Sequence, residues 1–218
     1  CAQATPLKEI PMPTMIDISP LISPSLAVWT GDTHFSQEFL CRFDTGANID
    51  LSTITTTVHL GTHTDAPSHY HPTGQTMESR PLDLYYGPCQ IITVAIPRGE
   101  RIYPSHLNGV EITAERVLFH TKSFPDPNYF NTDFNALSPE LVDYCAQRGV
   151  RLIGLDTPSV DTYSSKALES HNAIFRHDMA VLEGVVLTGV EDGVYTLIAL
   201  PLKIQGSDAS PVRAVLVG

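Results

Sequence analysis

Four of the nine histidines in the chain, His59, His63, His69 and His71, fall within 13 residues of one another, with Asp65 among them, in a run that reads VHLGTHTDAPSHYH from Val58 to His71. Imidazole nitrogens and carboxylate oxygens are the ligands that borderline metals such as Zn²⁺ prefer, so residue types and spacing together point to metal chemistry. Gly61 and Pro67 interrupt the run and β-branched threonines precede it, which argues against a helix. In an extended strand, residues of equal parity share a face, and His59, His63, Asp65 and His69 then converge on one side. Gly61 between them has no side chain, which leaves room for the backbone to approach an ion. The carboxylate of Asp65 has two oxygens and is able to bridge two ions, as a neutral imidazole is not. A lone histidine on a strand is more often a solvated or part-buried side chain than a ligand. Four histidines around one aspartate shift that balance to a metal site. His71 fits this pattern least well and is read as a supporting or incidental residue.

A second group lies in SHNAIFRHDMAVLE, from Ser170 to Glu183. Glu183 ends a short apolar run, where a carboxylate is costly unless it is paired or metal-bound. Taken alone the signal is weak, since Glu183 would be unremarkable at an exposed strand end. It gains weight because a second ion bridged by Asp65 needs further ligands from elsewhere in the chain.

These side chains must be positioned by a fold, and the sequence suggests a mixed one. The 17 prolines favour a sheet-rich chain with many turns, because proline is excluded from helix interiors. Strands are expected at Ile49–Leu60, Gln90–Ile96, Val117–His120, Val150–Leu155, Ala180–Val186, Tyr195–Pro201 and Val212–Val217. The clearest helix is Pro139–Arg148, with Ser138 as cap, Pro139 at the first helical position and Gly149 at the end. A second, weaker helix is expected around Ser164–His171. Residues 1–15, rich in proline, read as an N-terminal arm, and residues 16–218 as one domain.

Composition narrows the function classes. With 218 residues and 42% hydrophobic content the chain has enough material for a core, and wholesale disorder is excluded. Net charge is −11, with 13 Lys+Arg against 24 Asp+Glu, and no basic footprint for nucleic acid is present. No apolar run approaches the roughly 18 residues that would span a bilayer. Cys1, Cys41, Cys89 and Cys145 are widely spaced and include no CxxC pair, so they read as buried or incidental thiols of a reducing compartment. The chain opens on Cys1 instead of Met, which leaves open a processed start, an added residue or upstream sequence ahead of Met12 or Met15. A cytoplasmic location is the default expectation.

The stretch His59-Leu-Gly-Thr-His63-Thr-Asp65-Ala-Pro67-Ser-His69 resembles the HxGTHxDxPxH signature of the cyclase-like metal-dependent hydrolases. Further stretches, among them Asp17-Ile-Ser-Pro20, Trp29-Thr-Gly-Asp-Thr33, Pro81-Leu-Asp-Leu84, Gly154-Leu-Asp-Thr-Pro-Ser-Val160 and Ala209-Ser-Pro-Val-Arg-Ala-Val-Leu216, are most similar to the kynurenine formamidase (arylformamidase) branch of that family. Thr30 departs from the pattern, since relatives commonly carry Pro after the tryptophan.

The resemblance implies an α/β fold of the swivelling β/β/α type, with a mixed β-sheet core and flanking helices, and a homodimer or higher homo-oligomer. It implies two zinc ions per subunit, with manganese as the alternative metal. His59, His63 and Asp65 would hold one ion, and Asp65 would bridge to a second held by His171 and Glu183. His69 would be the catalytic acid/base. The implied reaction is hydrolysis of N-formyl-L-kynurenine, a small aromatic formamide, to L-kynurenine and formate in tryptophan degradation. Trp29, the only tryptophan, is a candidate to stack on the substrate ring, with an ordinary core tryptophan as the alternative. The rival expectations are an isatin-hydrolase-like enzyme that opens a cyclic amide and a non-catalytic metal-binding scaffold.

Overall fold

A computed structural model describes residues 13–218. In chain order the strands are β1 (Met15–Asp17), β2 (Ser36–Cys41), β3 (Leu51–Thr55), β4 (His63–Asp65), β5 (Tyr86–Thr93), β6 (Arg101–Ile102) and β7 (Arg116–His120). They continue with β8 (Ala136–Leu137), β9 (Leu152–Leu155), β10 (Ala180–Leu182), β11 (Gly193–Ile198), β12 (Ala209–Pro211) and β13 (Val215–Val217). Three α-helices accompany them: α1 (Pro67–Tyr70), α2 (Pro139–Ala146) and α3 (Glu169–Arg176).

The main sheet has seven strands in the order β1-β13-β11-β5-β7-β9-β10. From β1 to β5 neighbours run antiparallel, and from β5 to β10 they run parallel. The parallel strands read as continuous apolar runs because both of their faces are covered. Val117, Phe119, Ile153, Leu155 and Val181 point to a core closed by α2 and α3. The intervening Leu118, Leu152, Ala180 and Leu182 face a second core with Ile18, Leu197 and Leu216. The carboxyl ends of β7, β9 and β10 open on the same side, the edge where α/β sheets receive ligands.

α2 forms as its sequence suggests: Pro139 occupies the first turn and the Leu141 N–H donates to Ser138 Oγ at 3.1 Å. The other expected helix is displaced. Residues 164–168 lie outside any helix, and the helix occupies Glu169–Arg176. Its first N–H groups are capped from a distance, because Ser170 N and His171 N both donate to the Asp161 carboxylate at 3.1 Å. The expected strand Ile49–Leu60 is also corrected, to the shorter β3, which pairs only with β2 in an exposed hairpin. Residues 56–62 belong to no strand.

Most of the expected N-terminal arm lies outside the described residues, as does Cys1; Met15, the last residue of that arm, opens β1. Cys89 and Cys145 are fully buried, which pushes both thiols up to about 12 and leaves them inert. No helix among the described residues is long and apolar enough to cross a membrane.

Candidate metal centre and its cavity

The histidine run is not one extended strand, and equal parity is not what brings its side chains together. Gly61 sits at φ +56°, inside the wall made by Pro20 and Leu26, and turns the chain into β4. β4 has three residues, of which His63 and Asp65 face the site. Pro67 then starts the single-turn helix α1, so proline here opens a helix where the sequence pattern had argued against one. His69 is carried on that turn. β4 is held on one side by β12, with Asp65 opposite Ala209, and on the other by a bridge to Glu183. The His63 N–H donates to the Glu183 carbonyl at 3.1 Å and the Glu183 N–H to the His63 carbonyl at 2.9 Å. Gly184, at φ +65°, follows so closely against the Gly61 carbonyl that any Cβ there would collide with it.

The structure thus brings His59, His63, Asp65, His171 and Glu183 into one cluster. His59, His63 and Asp65 each offer a ligand atom within 4.8 Å of the others, and so do Asp65, His171 and Glu183. Asp65 belongs to both trios. His63 Nε2 lies 3.5 Å from Asp65 Oδ1 and 3.3 Å from Glu183 Oε2, and His171 Nε2 lies 3.4 Å from Asp65 Oδ2 and 3.6 Å from Glu183 Oε1. These separations exceed good hydrogen bonds, and they match the edges of a coordination shell with bonds of roughly 2.0–2.2 Å. His171 Nε2 is buried without a hydrogen-bond partner, and Asp65 Oδ1 is buried with His59 Nδ1 at 2.9 Å but outside hydrogen-bond geometry. Buried polar atoms are rarely left so, and an ion between them would satisfy both. The residues present therefore fit divalent metal.

The outer faces of these side chains are fixed by the protein. His171 Nδ1 lies 2.8 Å from Asp161 Oδ2, and Asp161 Oδ1 receives Arg101 Nη1 at 2.8 Å. His63 Nδ1 is 3.0 Å from the Gly61 carbonyl. Glu183 Oε1 accepts the Val160 N–H at 2.7 Å. Contacts of this kind orient an imidazole and select the tautomer whose free nitrogen points at an ion.

Protonation follows from the same packing. Burial pulls His171 down, but Asp161, Asp65 and Glu183 outweigh it and hold the ring up to about 10. His59 is likewise lowered by burial and raised more by Asp65 and Asp208, to about 9. His63 is raised by Glu183 and Asp65 against its own burial. Asp65 is opposed by burial yet held well below the usual carboxylate range by His171 and His59.

His69 stands at the rim, 36% exposed in its side chain, with its ring centroid 4.1 Å from that of His59. Its Nδ1 is 3.3 Å from Asp208 Oδ2, the same oxygen that lies 3.0 Å from His59 Nε2. His59, His69 and Asp208 form a third trio close enough to hold an ion. Asp208 and Asp161 carry no local sequence signal, since each acts on residues far away in the chain. His71 stacks on Phe175 at 3.8 Å and is not part of the cluster.

The cluster forms the floor of a cavity of about 490 Å³. One wall is aromatic: Trp29 lies against Phe130 (5.4 Å between centroids) and Tyr163 (5.1 Å), with Phe124 beyond. Trp29 is half-buried and lines the cavity, so it is neither a core side chain nor a fully exposed one. His120, Lys122 and Asp156, from the carboxyl ends of β7 and β9, line the opposite part.

Comparison with known proteins gives a consistent set of matches. The family model described as "Putative cyclase" matches residues 16–162. Kynurenine formamidase of Maricaulis maris (strain MCS10) is 44% identical over 206 residues, which is 94% of this chain and 98% of that protein. A solved structure described as a "potential metal-dependent hydrolase with cyclase activity" superposes with a TM-score of 0.81 at 26% identity, covering 94% of this chain and 98% of its own. Isatin hydrolase A from Labrenzia aggregata superposes at 0.83 with 21% identity, covering 94% and 93%, a likeness of fold.

Proposed function

The chain belongs to the cyclase family, and from that premise we propose that it is a metal-dependent kynurenine formamidase, which hydrolyses N-formyl-L-kynurenine to L-kynurenine and formate. The observation that carries the reading is the buried cluster of three imidazoles and two carboxylates under an aromatic-walled cavity. The 44% identity to a kynurenine formamidase supports the choice of substrate.

His59, His63 and Asp65 would hold one zinc ion, and His171 and Glu183 a second, with Asp65 shared between them; manganese suits the same donors. Ions held there supply Lewis acidity toward the formyl carbonyl and lower the pKa of a water toward 7. The remaining work falls to the chain. Trp29, braced by Phe130 set edge-on to it, offers an aromatic face for the substrate's ring. Asp208 Oδ2 accepts the proton on His69 Nδ1, which leaves Nε2 as the nitrogen that holds and delivers a proton. When the C–N bond breaks, the arylamine nitrogen needs that proton, because it departs poorly as an anion. Water adds across the amide, and the products are formate and the free arylamine. The reading includes a homodimer or higher homo-oligomer, and the β2–β3 hairpin, with Phe39, Leu40, Leu51 and Ile54 exposed, is apolar surface of the kind such contacts cover.

The test is turnover of N-formylkynurenine beside isatin, with metal content determined on the same sample. Turnover of the formamide with about two metal equivalents per chain is expected. Preference for isatin would replace the substrate, and a metal-replete but inactive protein would leave only a binding scaffold.

A further inference from the structure

Where β7 ends, Thr121 and Lys122 both direct their backbone N–H groups at one carboxylate. Thr121 N donates to Asp156 Oδ1 at 2.9 Å and Lys122 N to Asp156 Oδ2 at 2.8 Å, while Thr121 Oγ1 adds a bond to Oδ1 at 2.7 Å. Taking two consecutive N–H groups to one acceptor bends the backbone sharply, and Lys122 sits at φ +59°. That left-handed region is rarely occupied by a residue with a Cβ, and strain of this kind is kept where a side chain must be aimed. Asp156 spends both oxygens on the turn.

Lys122 itself is exposed, and among the described residues no carboxylate lies within 4.0 Å of its ammonium. Among the described residues it is the only lysine or arginine that lines the cavity over the histidine–carboxylate cluster. It also lines a second recess of about 550 Å³, which shares His120, Lys122 and Thr188 with the first. An unpaired cation on a strained, tethered turn therefore stands where the reaction cavity opens into an outer recess, in a chain of net charge −11.

We propose that Lys122 binds the carboxylate of the substrate's amino-acid chain. This rests on the formamidase reading and extends it: the formyl group lies on the cluster, the ring on the Trp29 wall, and the charged end at the junction of the two cavities. A lysine ammonium is a compact charge with three donors, suited to a carboxylate that approaches from solvent. Lys122 is a specificity residue that contacts substrate away from the bond that breaks.

The experiment compares N-formylkynurenine with 2'-formamidoacetophenone, which keeps the formyl-arylamine and the ketone but has no carboxylate. In the metal-loaded Lys122→Ala variant, KM for N-formylkynurenine is expected to rise about tenfold, the loss of one charge-assisted hydrogen bond, with kcat kept within about twofold. Turnover of 2'-formamidoacetophenone should be unchanged, and Lys122→Arg should restore most of the affinity for N-formylkynurenine. An unchanged KM for N-formylkynurenine in the alanine variant overturns the proposal, as does an equal loss on both substrates, which would make Lys122 part of the cavity's shape. If the wild-type enzyme handles both formamides with the same KM, the formamidase reading stands and the carboxylate contact falls. If it hydrolyses neither, the formamidase reading itself fails.

Discussion

Asp161→Asn tests how the second ligand trio is held. Asp161 is 1% exposed and accepts from five sides. Its Oδ1 takes Arg101 Nη1 at 2.8 Å and Ser170 N at 3.1 Å, and its Oδ2 takes His171 Nδ1 at 2.8 Å and the N–H groups of Ser170 and His171 at 3.1 Å. Asparagine matches the shape but must turn an NH₂ toward one of these two sets of donors. Facing Arg101, it opposes a guanidinium that cannot give up a proton. Facing His171, it meets Nδ1–H, and the ring escapes only by moving its proton to Nε2, the atom aimed at Asp65 and Glu183. The second orientation disfavours the neutral Nε2 that a metal requires, and the first keeps it only by setting an NH₂ against Arg101. Losing such a support costs about 10–100-fold in metal affinity, or about 1.4–2.7 kcal/mol. Competition with a chelator of known affinity, read by metal content per chain, measures this. We expect one class of ion to loosen by that factor, while any ion at the proposed His59–His63–Asp65 site is less affected. ¹⁵N shifts of the metal-free His171 ring should show it losing its proton at a lower pH than the wild type's value of about 10, because Asp161 is the largest group holding that proton. Wild-type affinity for every ion, with the His171 titration unchanged, would refute the argument that Asp161 positions His171.

Four other outcomes are expected. His69→Ala should retain its metal while losing most turnover, and near-normal kcat would remove His69 from the chemistry. Asp65→Ala should lose both metal and activity; a full metal complement by elemental analysis would end its bridging role. Loading metal at neutral pH should release protons, because His59 and His171 hold theirs up to about 9 and 10 and ligands must be neutral. The signs follow from raised folded-state values: in the metal-free chain the stability these charged rings add is complete below 6.5 and lost as pH rises through about 9 to 10, while metal affinity climbs over that interval. Calorimetry in buffers of different ionisation enthalpy tests this, and heats independent of buffer would contradict it. Gly184→Ala should lower thermal stability and metal content together, since its Cβ would force Gly61, and with it β4, to move; an unchanged melting temperature would show that the contact yields freely.

The clustered residues were legible because histidine and aspartate at close spacing are rare without a purpose. How they converge was not. A parity argument over an extended strand reached the same cluster that a glycine turn, a three-residue strand and one turn of helix produce. Continuous apolar runs such as Val117–Phe119 and Leu152–Leu155 located the parallel strands, and Ser138-Pro139 located α2. The helix expected around Ser164–His171 starts later, at Glu169, because its working cap is Asp161 reaching over the loop to Ser170 and His171. Asp208 stayed hidden for a similar reason. It bonds to His59 and His69, 149 and 139 residues earlier, and nothing in its own neighbourhood announces a partner.

The placement of β4 carries a consequence for synthesis. His63 hydrogen-bonds to Glu183 on one side, and the strand's three residues pair with Ala209–Pro211 on the other. A nascent chain emerges from its amino end at about 5–20 residues per second, so the histidine motif leaves the ribosome well before either neighbour exists. During that interval His59, His63 and Asp65 have no strand to sit in and no Glu183 beside them. The completed centre closes only when nearly the whole polypeptide is out. Acquisition of the proposed ions is thereby placed at the end of translation, and a chain truncated before residue 183 lacks one of the five residues proposed to hold them.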